Sequence, residues 1–503
     1  MPLWTCDFPS CNESAVRQAG DCELCERHLC SLHLERPLHS CPDYEDAERW
    51  DPLAAQAGVK ELARLFDRIN IAALEARASH LRDGIQCQAS PLIRDGGLNN
   101  SLMGGMNYHI PVIFKDGVEW IARVRRSNAT SPPTAVRDFV FESEYATLKF
   151  LEKTQVPTPR VYDFALDQQP GNEVGVGYIL MEMMPGKCME WDNATESQQE
   201  KFMEKIADIF VELRNYPFEC IGSLREVPED GCNIGPIACE YVTDIDSAAE
   251  IVPLGPFHSS RDHETTAARF VLDRIVQREI CTAERAVDCY LAHRYLLDLI
   301  QCITPQNEGP QKFYLKHADS KSDNFLVDDD FNITAIIDWE WAVTAGPEEA
   351  FNTPDFLISA SHFFDGNITP GPKEIRFAEI LEEKGHRDIA QYVRHGRLFH
   401  FLSFCSDYNF ARDEEGFLLL FKGLRDAAGV DDGLEWEDWK VVALERYKDD
   451  EGLKALLAKY DHVSDPGAAS ENTRTETDED PGHGNDASLL SRAHTGDKRR
   501  KSA

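Results

Sequence analysis

The chain has 503 residues, 42% of them hydrophobic, and a formal charge of −36. That length exceeds one ordinary core and fits two or three units, and no apolar run approaches the roughly 20 residues of a membrane helix. So acidic a chain lacks the basic face that a nucleic-acid backbone requires, and a soluble protein that engages neither membrane nor nucleic acid is expected.

The start, Met1-Pro-Leu-Trp-Thr-Cys6, has neither a basic stretch nor an apolar run, so no secretory signal is expected. Six of the 15 cysteines lie in the first 41 residues and the rest are scattered, a distribution that suits metal ligands and reduced thiols rather than a disulfide framework. The candidates run Cys6, Cys11, Cys22, Cys25, Cys30, His33, His39, Cys41. A segment this short, with few large apolar residues, cannot bury enough surface to fold unaided, and two tetrahedral zinc ions would supply the missing core. Interleaved pairing gives Cys6, Cys11, Cys30 and His33 to one ion and Cys22, Cys25, His39 and Cys41 to the other, with Trp4, Phe8, Leu29 and Leu32 filling the space between and His28 as a spare ligand. The spacing resembles the cross-braced AN-one type of zinc finger, although the Cys6–Cys11 gap is wider than is usual there. An acidic finger points to docking of a protein partner rather than reading of DNA.

From Ala47 to about His80, apolar residues such as Val59, Leu62, Leu65, Phe66 and Ile69 recur at helical spacing and predict a helical connector. Gly96-Gly97 and Gly104-Gly105 precede an alternation of Ile110, Val112 and Phe114, then Asp116-Gly117 and the strand-like Trp120-Ile-Ala-Arg-Val124, which together predict a hairpin. A helix is expected through Glu142, Glu144, Leu148 and Leu151, ending before Val156-Pro-Thr-Pro159. The apolar strand Gly177-Tyr-Ile-Leu-Met-Glu-Met-Met184 stops at Pro185-Gly186, and Phe202, Ile206, Ile209, Phe210 and Leu213 mark the next helix. Further helices are expected at Phe270–Val276 and Tyr290–Leu297. After His462 the composition turns polar and cannot offset chain entropy, so a disordered tail is expected.

The motif with the most chemistry is His317-Ala-Asp319-Ser-Lys321-Ser-Asp-Asn324, followed by Ile336-Ile337-Asp338-Trp339-Glu340. Together with Gly104-Gly-Met-Asn-Tyr108, Trp120-Ile-Ala-Arg123, Glu144-Tyr-Ala-Thr-Leu-Lys-Phe-Leu151, Tyr178-Ile-Leu-Met-Glu182 and Leu254-Gly-Pro-Phe257, it makes residues 85 to 455 resemble the aminoglycoside phosphotransferase family, particularly its fungal members. The resemblance implies an α+β, two-lobed, protein-kinase-like fold, here preceded by a small cross-braced two-zinc finger. It divides the chain into a zinc finger (1–45), a helical connector (46–84), an N-lobe to hinge (85–186), a helical C-lobe with the catalytic loop (187–461) and a disordered tail (462–503).

The implied activity is ATP- and Mg2+-dependent transfer of phosphate to a hydroxyl of a small molecule. On the resemblance, Asp319 accepts the hydroxyl proton, Lys321 neutralises the transferred group, His317 organises the loop or assists, and Asn324 and Asp338 hold Mg2+. Arg123 stands where most kinases carry the phosphate-pairing lysine, with Glu144 as its helix partner. Gly104 and Gly105 lie over the phosphates, and Glu182 and Met183 meet the base at the hinge. Lys321 and Ser320 replace the family's more usual His and Leu, which leaves the acceptor open. The alternative reading is a pseudokinase or adaptor scaffold whose zinc finger binds proteins, including ubiquitin-linked ones. A protein kinase is disfavoured because no activation segment is recognisable after Asp338. A cytoplasmic protein is expected, and Lys498-Arg-Arg-Lys501 would suit nuclear import.

Overall fold

The computed structural model describes residues 2–35, 38–90, 93–94, 97–98, 104–225, 233–304, 311–407 and 414–460. Expectations for Gly96, for the tail and for its Lys498–Lys501 run lie outside the described residues. The chain begins with a hairpin, β1 (Asp21–Cys22) and β2 (Arg27–His28), and a single turn, α1 (Ser31–Leu34). Two helices follow, α2 (Ala47–Arg68) and α3 (Ile71–Leu81), then β3 (Cys87–Ala89), the small pair β4 (Ile93–Arg94) and β5 (Gly97–Leu98), and the long hairpin β6 (Asn107–Phe114) and β7 (Glu119–Arg125). After α4 (Thr134–Leu151) come β8 (Val161–Ala165) and β9 (Tyr178–Glu182).

These strands form one antiparallel sheet in the order β3-β6-β7-β9-β8. The Asp116-Gly117 turn is where expected, with Gly117 at φ +87°, a conformation that favours glycine. Alternation decides which face each side chain joins. Ile110, Val112, Trp120, Ala122, Val124, Tyr178 and Leu180 pack with Leu62, Leu65, Leu74 and Ala78 of α2 and α3, whereas Ile179 and Met181 pack with Leu148 and Leu151 of α4. The helices at 47–81 are thus not a free connector. They cover one face of the sheet, because the apolar stripe read from the sequence packs against its strands. They also break once, where the Asn70 side chain caps α3 by accepting from Ala73 N–H.

Beyond the sheet, β10 (Lys187–Cys188) and α5 (Glu196–Arg214) open a mostly helical lobe. Gly186, at φ +116°, lies so close to Val327 O and Thr334 Oγ1 that a Cβ would collide at 2.8 and 2.6 Å, so the Pro185-Gly186 break is also a point of close contact. The pairs β11 (Ser223–Arg225) with β12 (Asn233–Gly235) and β13 (Asp244–Ile245) with β14 (Ile251–Val252) lead to α6 (Ser260–Val276) and α7 (Ala286–Ile303). Then come β15 (Tyr314–Lys316), β16 (Phe325–Val327), β17 (Ile333–Ile336) and β18 (Val343–Ala345). The chain ends in α8 (Pro347–Ala350), α9 (Ala360–Phe364), α10 (Pro372–Glu383), α11 (Arg387–His395), α12 (Arg397–Asp407), α13 (Glu414–Ala428), α14 (Trp436–Arg446) and α15 (Glu451–Tyr460). The result is an α+β molecule of two lobes, sheet-rich and helix-rich, in a kinase-like arrangement. No described helix is long and apolar enough to cross a membrane.

The helical lobe has two cores. One unites α5, α10 and α11 with the underside of the sheet, and the other unites α6 and α7 with α12 to α15. His293 lies in the second, its ring between the carbonyls of Cys289 (2.8 Å) and Ser406 (3.3 Å), and burial holds its pKa below the ordinary 6.5. The unfolded chain therefore binds a proton near pH 6.5 that the folded chain refuses, and the stability that the neutral ring contributes is lost as pH falls below that value. Between pH 6.5 and 5.5 the wild type should lose more stability than His293→Gln. Urea denaturation of both proteins at the two pH values checks this.

Candidate functional site

The loop after β15 is built around a histidine whose two ring nitrogens both meet backbone groups. His317 Nε2 donates to Ile337 O at 2.9 Å, and its Nδ1 accepts from Asp319 N–H at 3.2 Å, so both ring nitrogens are committed to backbone. Burial lowers its pKa, and Trp339 packs against it edge to face. The histidine thus ties the loop to the strand end that carries Asp338. Asp319 is 3% exposed and pairs with Lys321 Nζ at 2.6 Å. Desolvation works against the lysine cation, but Asp319 keeps its pKa above the ordinary value. Asn324 donates from Nδ2 to Asp319 O at 2.8 Å, which leaves its amide oxygen as the atom a metal would use. Ile337 N–H bonds Asn324 O at 2.9 Å and sets Asp338 beside it. Asp338 itself has φ +63°.

Above this loop, β7 presents Arg123 and Arg125 on one face, two residues apart. Arg123 meets three carboxylates: Glu144 of α4 at 3.1 Å, Asp338 at 2.6 Å and Glu340 at 3.1 Å. Arg125 pairs with Glu340 Oε1, and Oε2, which Arg123 holds, also accepts from Asn107 Nδ2 at 3.2 Å. Desolvation opposes the Asp338 anion, but the Arg123 guanidinium holds its carboxyl well below the usual range. Arg125, Asn107 and Glu340 were not foreseen as a unit. The available signal was spacing alone, two arginines at i and i+2 on a strand and two carboxylates at i and i+2 after another. Arg123 Nε and Arg125 Nη2 are buried donors without a hydrogen-bond partner among the described residues, a fit for an anionic ligand such as a polyphosphate. Arg123→Ala strands Glu144, which is 1% exposed, and should cost about 3–5 kcal/mol of stability. Chemical denaturation reads that loss directly.

The other residues expected at the nucleotide lie further out. The carbonyls of Gly104 and Gly105 accept from Arg126 Nη1 at 3.0 and 3.2 Å, and Arg126 is buried against Glu61 of α2. At the hinge, Glu182 N–H bonds Arg160 O at 2.8 Å and Met183 N–H bonds Glu119 O at 3.3 Å. The Met183 side chain is exposed.

A second candidate site lies at the N-terminus. The eight expected ligands come together in two interleaved groups, Cys6, Cys11, Cys30, His33 and Cys22, Cys25, His39, Cys41, with all ligand atoms in each group within 4.8 Å of one another. Cys30 Sγ and Cys6 Sγ lie 3.2 and 3.4 Å from His33 Nδ1, Cys11 Sγ lies 3.9 Å from Cys30 Sγ, and Cys25 Sγ lies 3.7 Å from His39 Nε2. Zn–N and Zn–S bonds of about 2.0–2.3 Å imply tetrahedral edges of about 3.3–3.8 Å, so both groups fit zinc. His28 stacks on Trp4 and bonds Asp21 at 2.8 Å, and it takes part in neither group. Of the small core expected here, Leu29 is buried and Phe8 partly so, but Leu32 is 59% exposed.

Comparison with known proteins places one part of the chain. Residues 113–349 match the model of a phosphotransferase enzyme family. That span carries Arg123, Glu144, His317, Asp319, Lys321, Asn324 and Asp338, and it excludes Gly104, Gly105 and the cysteine clusters. No curated protein matches. Among solved structures, the chain is similar to a thermostable mutant of aminoglycoside phosphotransferase APH(4)-Ia in ternary complex with AMP-PNP and hygromycin B. The identity is 15%, the overlap covers 65% of this chain and 93% of that one, and the TM-score is 0.38. It is also similar to the GDP complex of aminoglycoside 2'-phosphotransferase-IIIa, at 14% identity, coverage of 72% and 99%, and TM-score 0.37. A third is the macrolide 2'-phosphotransferase MphH from Brachybacterium faecium, at 15% identity, coverage of 70% and 97%, and TM-score 0.35.

Proposed function

We propose that the two-lobed body is an ATP- and Mg2+-dependent phosphotransferase acting on a hydroxyl of a small molecule. The observation that carries this is the convergence of Asp319, Lys321, Asn324 and Asp338 on one loop-and-strand unit beneath two arginines that each keep one buried nitrogen unbonded among the described residues. ATP would supply the phosphoryl group, and Mg2+ would neutralise its oxygens. Asn324 and Asp338 are the residues to hold the metal, Arg123 with Glu144 the pair to hold phosphate, and Gly104, Gly105, Glu182 and Met183 the residues nearest the rest of the nucleotide. Asp319 accepts the proton as the acceptor oxygen attacks phosphorus and the bond to the leaving ADP oxygen breaks. Lys321 keeps positive charge beside that event. In the same reading each N-terminal cluster binds one Zn2+, which stands in for a core that eight ligands and a few apolar residues cannot otherwise make.

One observation favours a scaffold instead. Arg123 is bonded to one oxygen of Asp338, the carboxylate that a metal would need, so the ion pair competes with the metal for that oxygen. ADP release measured on a panel of hydroxylated metabolites separates the two. Acceptor-dependent, Mg2+-dependent ADP is the expected result, and a chain that neither releases ADP nor is stabilised by ATP with Mg2+ would be a scaffold.

A further inference from the structure

An acidic zinc finger invites the reading that it docks other proteins, yet its most buried polar surface is already occupied by its own chain. Arg17, between Cys11 and Cys22, is 9% exposed and reaches the turn between α6 and α7. Its backbone N–H bonds Glu279 O at 2.8 Å, and its guanidinium bonds Glu279 Oε2 at 2.8 and 3.0 Å. Glu279, 0% exposed, also takes Arg274 at 2.9 Å, Arg274 pairs with Asp244 at 3.3 Å, and Asp244 returns to Arg17. Two arginines and two carboxylates therefore close a neutral ring, with Phe270 lying under both guanidinium groups. Only Arg17 comes from the finger, so its removal leaves two buried anions facing one cation.

Two more contacts reinforce the ring. Ser31 Oγ, one residue after Cys30, accepts from Ala283 N–H at 2.9 Å. On the other side, Glu26, one residue after Cys25, makes an exposed two-pronged pair with Arg64 of α2 at 2.7 and 3.2 Å, a contact that orients more than it stabilises. The turn that receives the finger has Arg278 at φ +62° and Cys281 at φ +66°, both costly for residues with a side chain. Such a backbone persists where its surroundings hold it. Each anchor lies between candidate ligands in the sequence, and the finger's own buried cluster among the described residues is Cys6, Leu29 and Cys30.

We infer that the N-terminal finger is a metal-dependent strut for the α6–α7 turn of the helical lobe, its partner being this chain itself. The inference rests on the zinc reading and is independent of the phosphotransferase reading. Hydrogen exchange of the full chain, before and after stripping metal with a chelator, tests it, with zinc content measured in parallel. Peptides covering 276–285 should exchange at least about tenfold faster after stripping. Arg17→Met should show the same loss of protection there while retaining two zinc ions per chain. Unchanged protection of 276–285 after stripping overturns the strut, as does full protection in zinc-loaded Arg17→Met. A chain that carries no zinc as purified overturns its metal dependence.

Discussion

Asp319→Asn is expected to lower acceptor-dependent turnover by about 10²–10⁴-fold, the range of a lost general base, while leaving nucleotide binding nearly intact. The amide keeps the shape of the carboxylate but cannot take the hydroxyl proton, and Lys321 loses the anion 2.6 Å away. The loop should survive, because Asn324 bonds the backbone oxygen of residue 319 and His317 accepts from its backbone N–H, neither of which the substitution touches. Initial rates of ADP release, paired with thermal shift in ATP and Mg2+, separate chemistry from binding. Turnover within about tenfold of wild type would mean that another group takes the proton. His317 is a poor candidate for that group, with both ring nitrogens already bonded to backbone.

Much of the fold was legible because the cues were local. Alternation at Ile110, Val112 and Phe114, the Asp116-Gly117 turn, and the stop at Val156-Pro-Thr-Pro159 each depend on a few adjacent residues, and the corresponding strands, hairpin and helix end lie where those cues put them. The helices at 47–81 show the limit of such cues. Periodicity gave their existence and their apolar stripe, but not the sheet face that the stripe covers, since the partner strands lie downstream in the chain.

The candidate site divides in the same way. His317, Asp319, Lys321 and Asn324 lie within eight residues, and their geometry follows from one loop. Arg123 with Glu144 was reached only through family resemblance, and Glu340 with Arg125 and Asn107 not at all, because those pairs span 215 and 233 residues. Burial made them visible: charges this deep must pair, and the structure shows with what. The Arg17–Glu279 bond spans 262 residues and escaped for the same reason. An arginine between candidate zinc ligands reads from sequence as a solvated charge.

Asp338→Ala should abolish the Mg2+-dependent part of nucleotide binding while sparing the fold. In the wild type, ATP with Mg2+ at about 100 times its Kd adds about 2.7 kcal/mol of stability, and the variant should gain close to none of the metal-dependent share. The reason is that Asn324 alone offers one neutral oxygen, whereas a Mg2+ site built on phosphates needs at least one protein carboxylate to offset the cost of dehydration. The fold should hold because Asp338 is the most exposed of the three carboxylates on Arg123, at 37%, and the cation keeps both Glu144 and Glu340. Loss of Asp338 also frees Arg123 from one of the carboxylates that compete with phosphate for it. Metal-free ATP should therefore bind the variant at least as well as the wild type, the opposite of its response with Mg2+. Thermal shift with ATP, run with Mg2+ and with EDTA, reads both signs in one experiment. If the variant is stabilised by ATP with Mg2+ as strongly as the wild type, Asp338 is not the metal ligand, and Asn324 loses its proposed role with it.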